Sequence, residues 1–215
     1  MGKSMVYLFF GTLRRVELDN LYENARFAIM ETCLALTYFQ STLDEKVVVL
    51  FLSLLFSKGF HWLCQSRLDY VESGQVNNAA HIRISVLMFV LLLTDVLFIF
   101  MSINLWESYA VLILFGFEYT LLLVSLFSTV SRYILHLIDI SMENSWTNKS
   151  SYLFVVDFVI AIVRFFSYVA YFSIILTNFG LPLHLLRDLH KAFDNLKRRT
   201  IQYYRYRQII ANMER

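Results

Sequence analysis

Residues Ile82–Ser102 read IRISVLMFVLLLTDVLFIFMS, and the run at Leu87–Leu93, LMFVLLL, is the most apolar in the chain. A helix needs about 20 mainly apolar residues to cross a bilayer, and this segment supplies them. Working outward, four more apolar stretches are recognisable: Ala25–Phe39, Val47–Cys64, Tyr109–Ile138 and Tyr152–Thr177. The first is short and carries Glu31. The fourth in chain order, Tyr109–Ile138, is long enough to tilt or to project beyond the membrane.

Composition agrees. Of 215 residues, 58% are apolar and 17% charged, and the mean hydropathy is +0.55. A soluble domain carries nearer a quarter charged residues. In hydrocarbon, only helices and closed barrels satisfy their own backbone groups. A barrel would need short segments alternating apolar and polar, a pattern absent here. One Pro and six Gly also leave little turn chemistry for a β-rich chain. The fold class expected is all-α, a polytopic transmembrane helical bundle.

The connectors 40–46, 65–81, 103–108 and 139–151 are short, so successive helices should pack as antiparallel neighbours. No internal repeat interrupts them, and residues 1–196 read as one multi-span domain. Lys and Arg in the loops set orientation. Lys3, Arg14, Arg15 and Arg26 precede the first span; Lys58, Arg67 and Arg83 lie around the second connector; Arg132 and Lys149 flank the fourth. The alternate connectors hold Lys46 alone. The N-terminal segment is therefore placed in the cytosol, where the sequon Asn148-Lys149-Ser150 would stay unglycosylated.

Five crossings would leave the tail outside, yet that tail carries Arg187, Lys191, Lys197, Arg198, Arg199, Arg205, Arg207 and Arg215. A sixth crossing at 180–196, after the turn at Asn178–Pro182, removes the conflict. There Leu181, Leu185, Leu186, Leu189, Phe193 and Leu196 share one side, opposite Arg187, Asp188, Lys191 and Asp194. Such a helix crosses only if its polar side meets protein or water; otherwise it lies on the membrane surface. Residues 197–215 read as a basic cytosolic helix.

Ionisable groups inside apolar spans are costly, about 2.5–3.5 kcal/mol at a helix centre on insertion scales. They are Glu31, Lys58, Asp95, Glu118, Asp157 and Arg164, with His61 and Trp62 closing the second span. Asp157 and Arg164 lie seven residues apart, on one helix face. Arg164 calls for a carboxylate from another helix, and Glu118 is the candidate. Two readings stand: a hydrophilic cavity for a polar substrate, or helix-to-helix pairs that only fix the packing.

Several chemistries find no support. A net charge of +2 gives no general attraction to nucleic acid. Cys33 and Cys64 are too few for a disulfide framework and form no C-x-x-C, so both are read as packing residues. No H-E-x-x-H motif, phosphate-cradling loop or catalytic set occurs, and no metal site is expected. Residues 1–10 are too short for a signal peptide and lack a cleavage site.

Certain strings narrow the class. They are Leu8–Arg14 (LFFGTLR), Met30–Ala35 (METCLA), Lys58–Leu63 (KGFHWL) with Arg67-Leu68-Asp69, Phe115–Tyr119 (FGFEY), Tyr133–His136 (YILH) and Glu143–Lys149 (ENSWTNK). In this order they resemble the membrane domain of the synoviolin family, endoplasmic-reticulum RING-type ubiquitin ligases of ER-associated degradation. The more distant autocrine-motility-factor-receptor ligase is a related resemblance. The family has eight membrane segments, and the match begins late in the second and stops before the cysteine-rich RING.

The resemblance implies a membrane part with no catalytic residue or cofactor of its own, zinc belonging to the absent RING. It implies a multi-pass ER protein with a cytosolic C-terminus and a cytosol-facing cavity for retrotranslocation of misfolded proteins. Glu31, Asp95, Glu118, Asp157, Arg164, Arg187 and Asp188 would line or stabilise that cavity, and His61, Trp62, Arg67 and Asp69 carry the family motif. Implied partners are a luminal repeat-containing adaptor, derlin rhomboid-like proteins, a cytosolic AAA ATPase, a ubiquitin-conjugating enzyme through the RING, misfolded clients and a second copy of the chain. From the residues alone, a small channel or transporter and a non-catalytic scaffold remain as alternatives; the inverted repeats of many transporters are not visible.

Overall fold

The computed structural model describes residues 14–38, 45–74, 78–105, 111–142, 149–179 and 183–213. Six helices account for nearly all of them: α1 (Arg15–Tyr38), α2 (Glu45–Ser73), α3 (Asn78–Leu105), α4 (Val111–Ser141), α5 (Lys149–Phe179) and α6 (Leu183–Met213). No strand occurs among the described residues. The protein is all-α, as its composition requires.

Among the described residues, four helices are long and apolar enough to cross a membrane: Val47–Ser73, Ala79–Asn104, Leu112–Ser141 and Lys149–Thr177. α1 and α6 carry too many charges to meet that test. Helix α1 starts ten residues before the expected apolar stretch, at Arg15 rather than Ala25. The reason is a cap: the Arg14 N–H donates to Glu17 Oε2 at 3.0 Å. A Glu at the third helical position reaching back in this way satisfies a backbone donor that hydropathy does not register. Helix α6 runs without interruption through the boundary expected at residue 196. It holds no Gly or Pro between Leu183 and Met213, so nothing in its backbone chemistry ends the helix there.

The chain forms two compact units, residues 1–130 and 131–215. In the first, α1 packs on α2 and α2 on α3. On α3 the two sides differ sharply. Val86, Phe89, Leu93, Val96, Leu97 and Phe100 are exposed, whereas Ile84, Leu87, Leu91, Asp95 and Ser102 are buried. These sets recur every three to four residues, the helical period. The exposed apolar stripe is a lipid-facing surface, so the most apolar helix still has an inside.

Lipid tails are as apolar as Leu, so burial from water does not hold such helices together; close packing and polar contacts do. Gly116 of α4 shows the first. A Cβ there would lie 2.9 Å from Ser102 Cβ on α3. The Ser102 hydroxyl in turn donates to the Leu112 carbonyl. Two small residues let the backbones approach, and a hydroxyl ties them.

The second unit is organised by the packing of α5 on α6. The Tyr203 ring of α6 stacks near-parallel on Phe154 and Phe158 of α5, with centroids 6.1 and 5.5 Å away. Further along, Phe165 meets Phe193 at 6.0 Å, and Ala161 and Ala192 are both buried. The contact side of α6 runs through Leu185, Asp188 and Ala192, while Leu186 and Phe193 are about half exposed. The burial pattern thus cuts across the division drawn from sequence: Asp188, assigned to the polar side, is buried with Leu185.

Candidate functional site

Helices α2, α3 and α4 bring four ionisable side chains together inside the first unit. Lys58 Nζ lies 2.8 Å from Glu118 Oε2, with side chains 10% and 17% exposed. One helical turn along α2, His61 Nε2 faces Asp95 at 3.2 Å, and Asp95 is fully buried. Beside an ionised carboxylate, which only accepts hydrogen bonds, the Nε2–H tautomer is the one that donates. Tyr119, next to Glu118, is also buried, and its ring stacks on Phe98 at 4.5 Å. Lys58 and His61 share one side of α2 because they are three residues apart, and Asp95 and Phe98 do the same on α3.

Glu118 therefore has Lys58 as its partner, not Arg164 as the span-by-span reading expected. Arg164 is half-buried on α5, and no ion pair among the described residues includes it. Lys58 and Glu118 sit well inside their helices, where an unpaired charge would cost several kcal/mol. That cost selects the pair.

Asp157 of α5 is engaged twice in the second unit. Arg132 Nη2 of α4 lies 3.3 Å from its carboxylate and Arg199 Nη1 of α6 lies 3.2 Å away. Nearer the ends of the same helices, Lys149 Nζ is 2.8 Å from Asp139 Oδ2. On α6, Asp188 pairs with Lys191 at 3.2 Å and lies 3.6 Å from the exposed Arg187. Also in the first unit, Arg67 Nε reaches the buried Glu17 at 3.5 Å, and the Arg14 guanidinium lies 3.3 Å from the Tyr70 ring centre.

Among the remaining sequence candidates, Trp62 is half-buried and Asp69 exposed. The Glu31 side chain, residues 8–13 of the first family string, Asn148 of the sequon and the turn residues 180–182 lie outside the described residues. Cys64 is buried and Cys33 exposed, both as free thiols. No trio of His, Cys, Asp and Glu among the described residues is placed to hold a metal ion. Sequence reasoning did not single out Glu17, Ser102 or Arg199 as members of polar contacts or Tyr119 as a buried ring, and it used Arg132 only for orientation. For Arg132 a signal was present: it precedes Asp139 by seven residues and Asp157 follows Lys149 by eight, the register of an antiparallel pair.

Apolar helices tied by buried ion pairs define a polytopic membrane protein with a polar interior. The chain belongs to the synoviolin-like family of E3 ubiquitin-protein ligases: residues 1–212 match the family described as "E3 ubiquitin-protein ligase synoviolin-like, TPR repeats". It is similar to the ERAD-associated E3 ubiquitin-protein ligase hrd1 of Schizosaccharomyces pombe, with 27% identity over 219 residues, 99% of this chain and 32% of that protein. The chain thus spans about a third of the length of this relative. A TPR unit is a helical hairpin of roughly 34 residues. The helices here, 24 to 31 residues long, are each nearly as long as such a unit.

Proposed function

We propose that this chain is the membrane domain of an ER-resident E3 ubiquitin-protein ligase of ER-associated degradation, and that its polar interior serves retrotranslocation of misfolded proteins. The observation that carries this reading is the set Lys58, His61, Asp95, Glu118, Asp157 and Arg164, all inside helices apolar enough to cross a membrane. A polypeptide at membrane depth needs polar partners for its backbone, and an all-apolar bundle supplies none. Helix α6 makes the last crossing, its charged residues turned to protein or water, and brings the C-terminus to the cytosol. Ubiquitin transfer belongs to a zinc-binding RING carried by the full-length ligase, which recruits the ubiquitin-conjugating enzyme. A luminal repeat-containing adaptor, derlin-like proteins and a cytosolic AAA ATPase complete the path, and a second copy of the chain is a further partner.

A trapped luminal client in ER membranes containing the full-length protein provides the test. Photocrosslinkers replacing Arg164 or Asp188 should capture the client, whereas one at the lipid-facing Phe89 should not. Equal capture at all three positions would remove the conduit. A scaffold reading has its own support, because Lys58–Glu118 and His61–Asp95 close on each other. Replacing Lys58 by Met together with Glu118 by Leu separates the two. A conduit loses client passage while the complex stays assembled; a scaffold that remains assembled passes the client at the original rate.

A further inference from the structure

In the second unit two guanidiniums share one carboxylate. Arg132 reaches Asp157 through Nη2 alone and Arg199 through Nη1 alone, so one positive charge is left over. The buried Nε of Arg132 has no hydrogen-bond partner. Arg132 and Arg199 keep 32% and 33% of their side-chain surfaces accessible, against 16% for Asp157. The nearby acids are committed elsewhere, Asp139 to Lys149 and Asp194 to His190. Lys197 and Arg198, just before Arg199, are exposed and add to the positive side.

Residues 111–131 of α4 and 158–179 of α5 each supply roughly 30 Å of helix at about 1.5 Å per residue. That is the thickness of the hydrocarbon core. Each helix, at 31 residues, is longer than that core, and Arg132 and Asp157 lie in the third of α4 and α5 that borders the 142–148 connector. A guanidinium is a planar fork of five donors that matches phosphate oxygens two at a time.

We propose that Arg132 and Arg199 form a binding site for a phosphate group at the membrane surface, with Asp157 holding the two guanidiniums apart and tempering their affinity. The phosphate comes from an anionic phospholipid headgroup or from a soluble phosphate ester. The chemistry is shared, and the experiment distinguishes the sources.

The test uses the full chain, purified, delipidated and titrated with phosphatidylinositol against phosphatidylcholine, with bound lipid counted by native mass spectrometry. Arg132→Gln and Arg199→Gln should each weaken phosphatidylinositol binding about five-fold, the scale of one basic residue near an anionic surface. Arg187→Gln, at the other end of α6, should leave it unchanged. Asp157→Asn should tighten binding, because it frees both cations; a purely structural triad would move the other way. Inorganic phosphate that competes at millimolar concentration assigns the site to soluble phosphate, and lack of competition assigns it to the lipid. The proposal is overturned if Asp157→Asn weakens binding along with the arginine variants, or if neither arginine variant changes it.

Discussion

Charge is handled in two ways in this protein. Between α2, α3 and α4 each basic side chain has one acidic partner, and the pairs Lys58–Glu118 and His61–Asp95 are almost sealed from solvent. Between α4, α5 and α6 a single carboxylate serves two arginines that keep about a third of their surfaces open. A sealed pair is costly to break, since removing one partner strands the other in a medium that solvates it poorly. An open cluster is cheap to alter, because water and salt take up the difference. The first arrangement fixes which helices pack together; the second leaves charge available to something outside the chain.

The largest effect that sharpens this contrast is expected at His61. Replacing it with Leu leaves Asp95 buried and unpaired, at a cost of about 3–5 kcal/mol. A detergent-solubilised sample should lose thermal stability by a wide margin, and steady-state levels in cells should fall. Adding Asp95→Leu should restore most of the loss, since an apolar pair of similar size avoids the desolvation cost. If the double variant is as unstable as the single one, the pair is not what the burial implies. Next in size is Gly116→Leu, which forces α3 and α4 apart at Ser102 and should cost about 1–3 kcal/mol. Gly116→Ala should cost less, and equal effects would mean the close approach is unimportant.

These two sites also mark what sequence reasoning reaches. The apolar runs gave the helices of the four long spans, because a period of 3.6 residues and a length near 20 leave few alternatives in a bilayer. They did not give the start of α1, which depends on one capping carboxylate, or the continuity of α6, which depends on the absence of any breaker. Among the polar residues, Asp95, Glu118, Asp157 and Arg164 stood out by being out of place in apolar text. Lys58 stood out with them, but the pairings did not, because pairing is a matter of depth and rotation between helices far apart in sequence. Glu118 was matched to Arg164 by charge alone, and Lys58 took it by geometry, at 2.8 Å. His61 was read only as closing the second span beside Trp62 and as part of the family motif. Its role emerged once α3 placed Asp95 opposite.

In the second unit the effects should be smaller. Tyr203→Leu removes two near-parallel ring contacts, with Phe154 and Phe158, while keeping an apolar side chain. Stacked aromatic pairs contribute about 0.5–1.5 kcal/mol beyond the area they bury. The expected result is a modest fall in thermal stability, together with faster proteolysis of α6 in its C-terminal half. Unchanged cleavage there would mean that α6 is held to α5 elsewhere along its length.

The smallest change is expected at Asp157. Its side chain is 16% exposed and those of its two arginines about a third. Removing its charge leaves two cations that turn toward water rather than one stranded in hydrocarbon. Asp157→Asn should therefore lower stability by about 1 kcal/mol or less, as for other accessible ion pairs. Raising ionic strength should shrink the difference further, because screening acts on accessible charges. A loss as large as that of His61→Leu, indifferent to salt, would place Asp157 among the sealed pairs and erase the distinction between the two clusters. A small, salt-dependent loss keeps the distinction and fits arginines able to exchange one anionic partner for another.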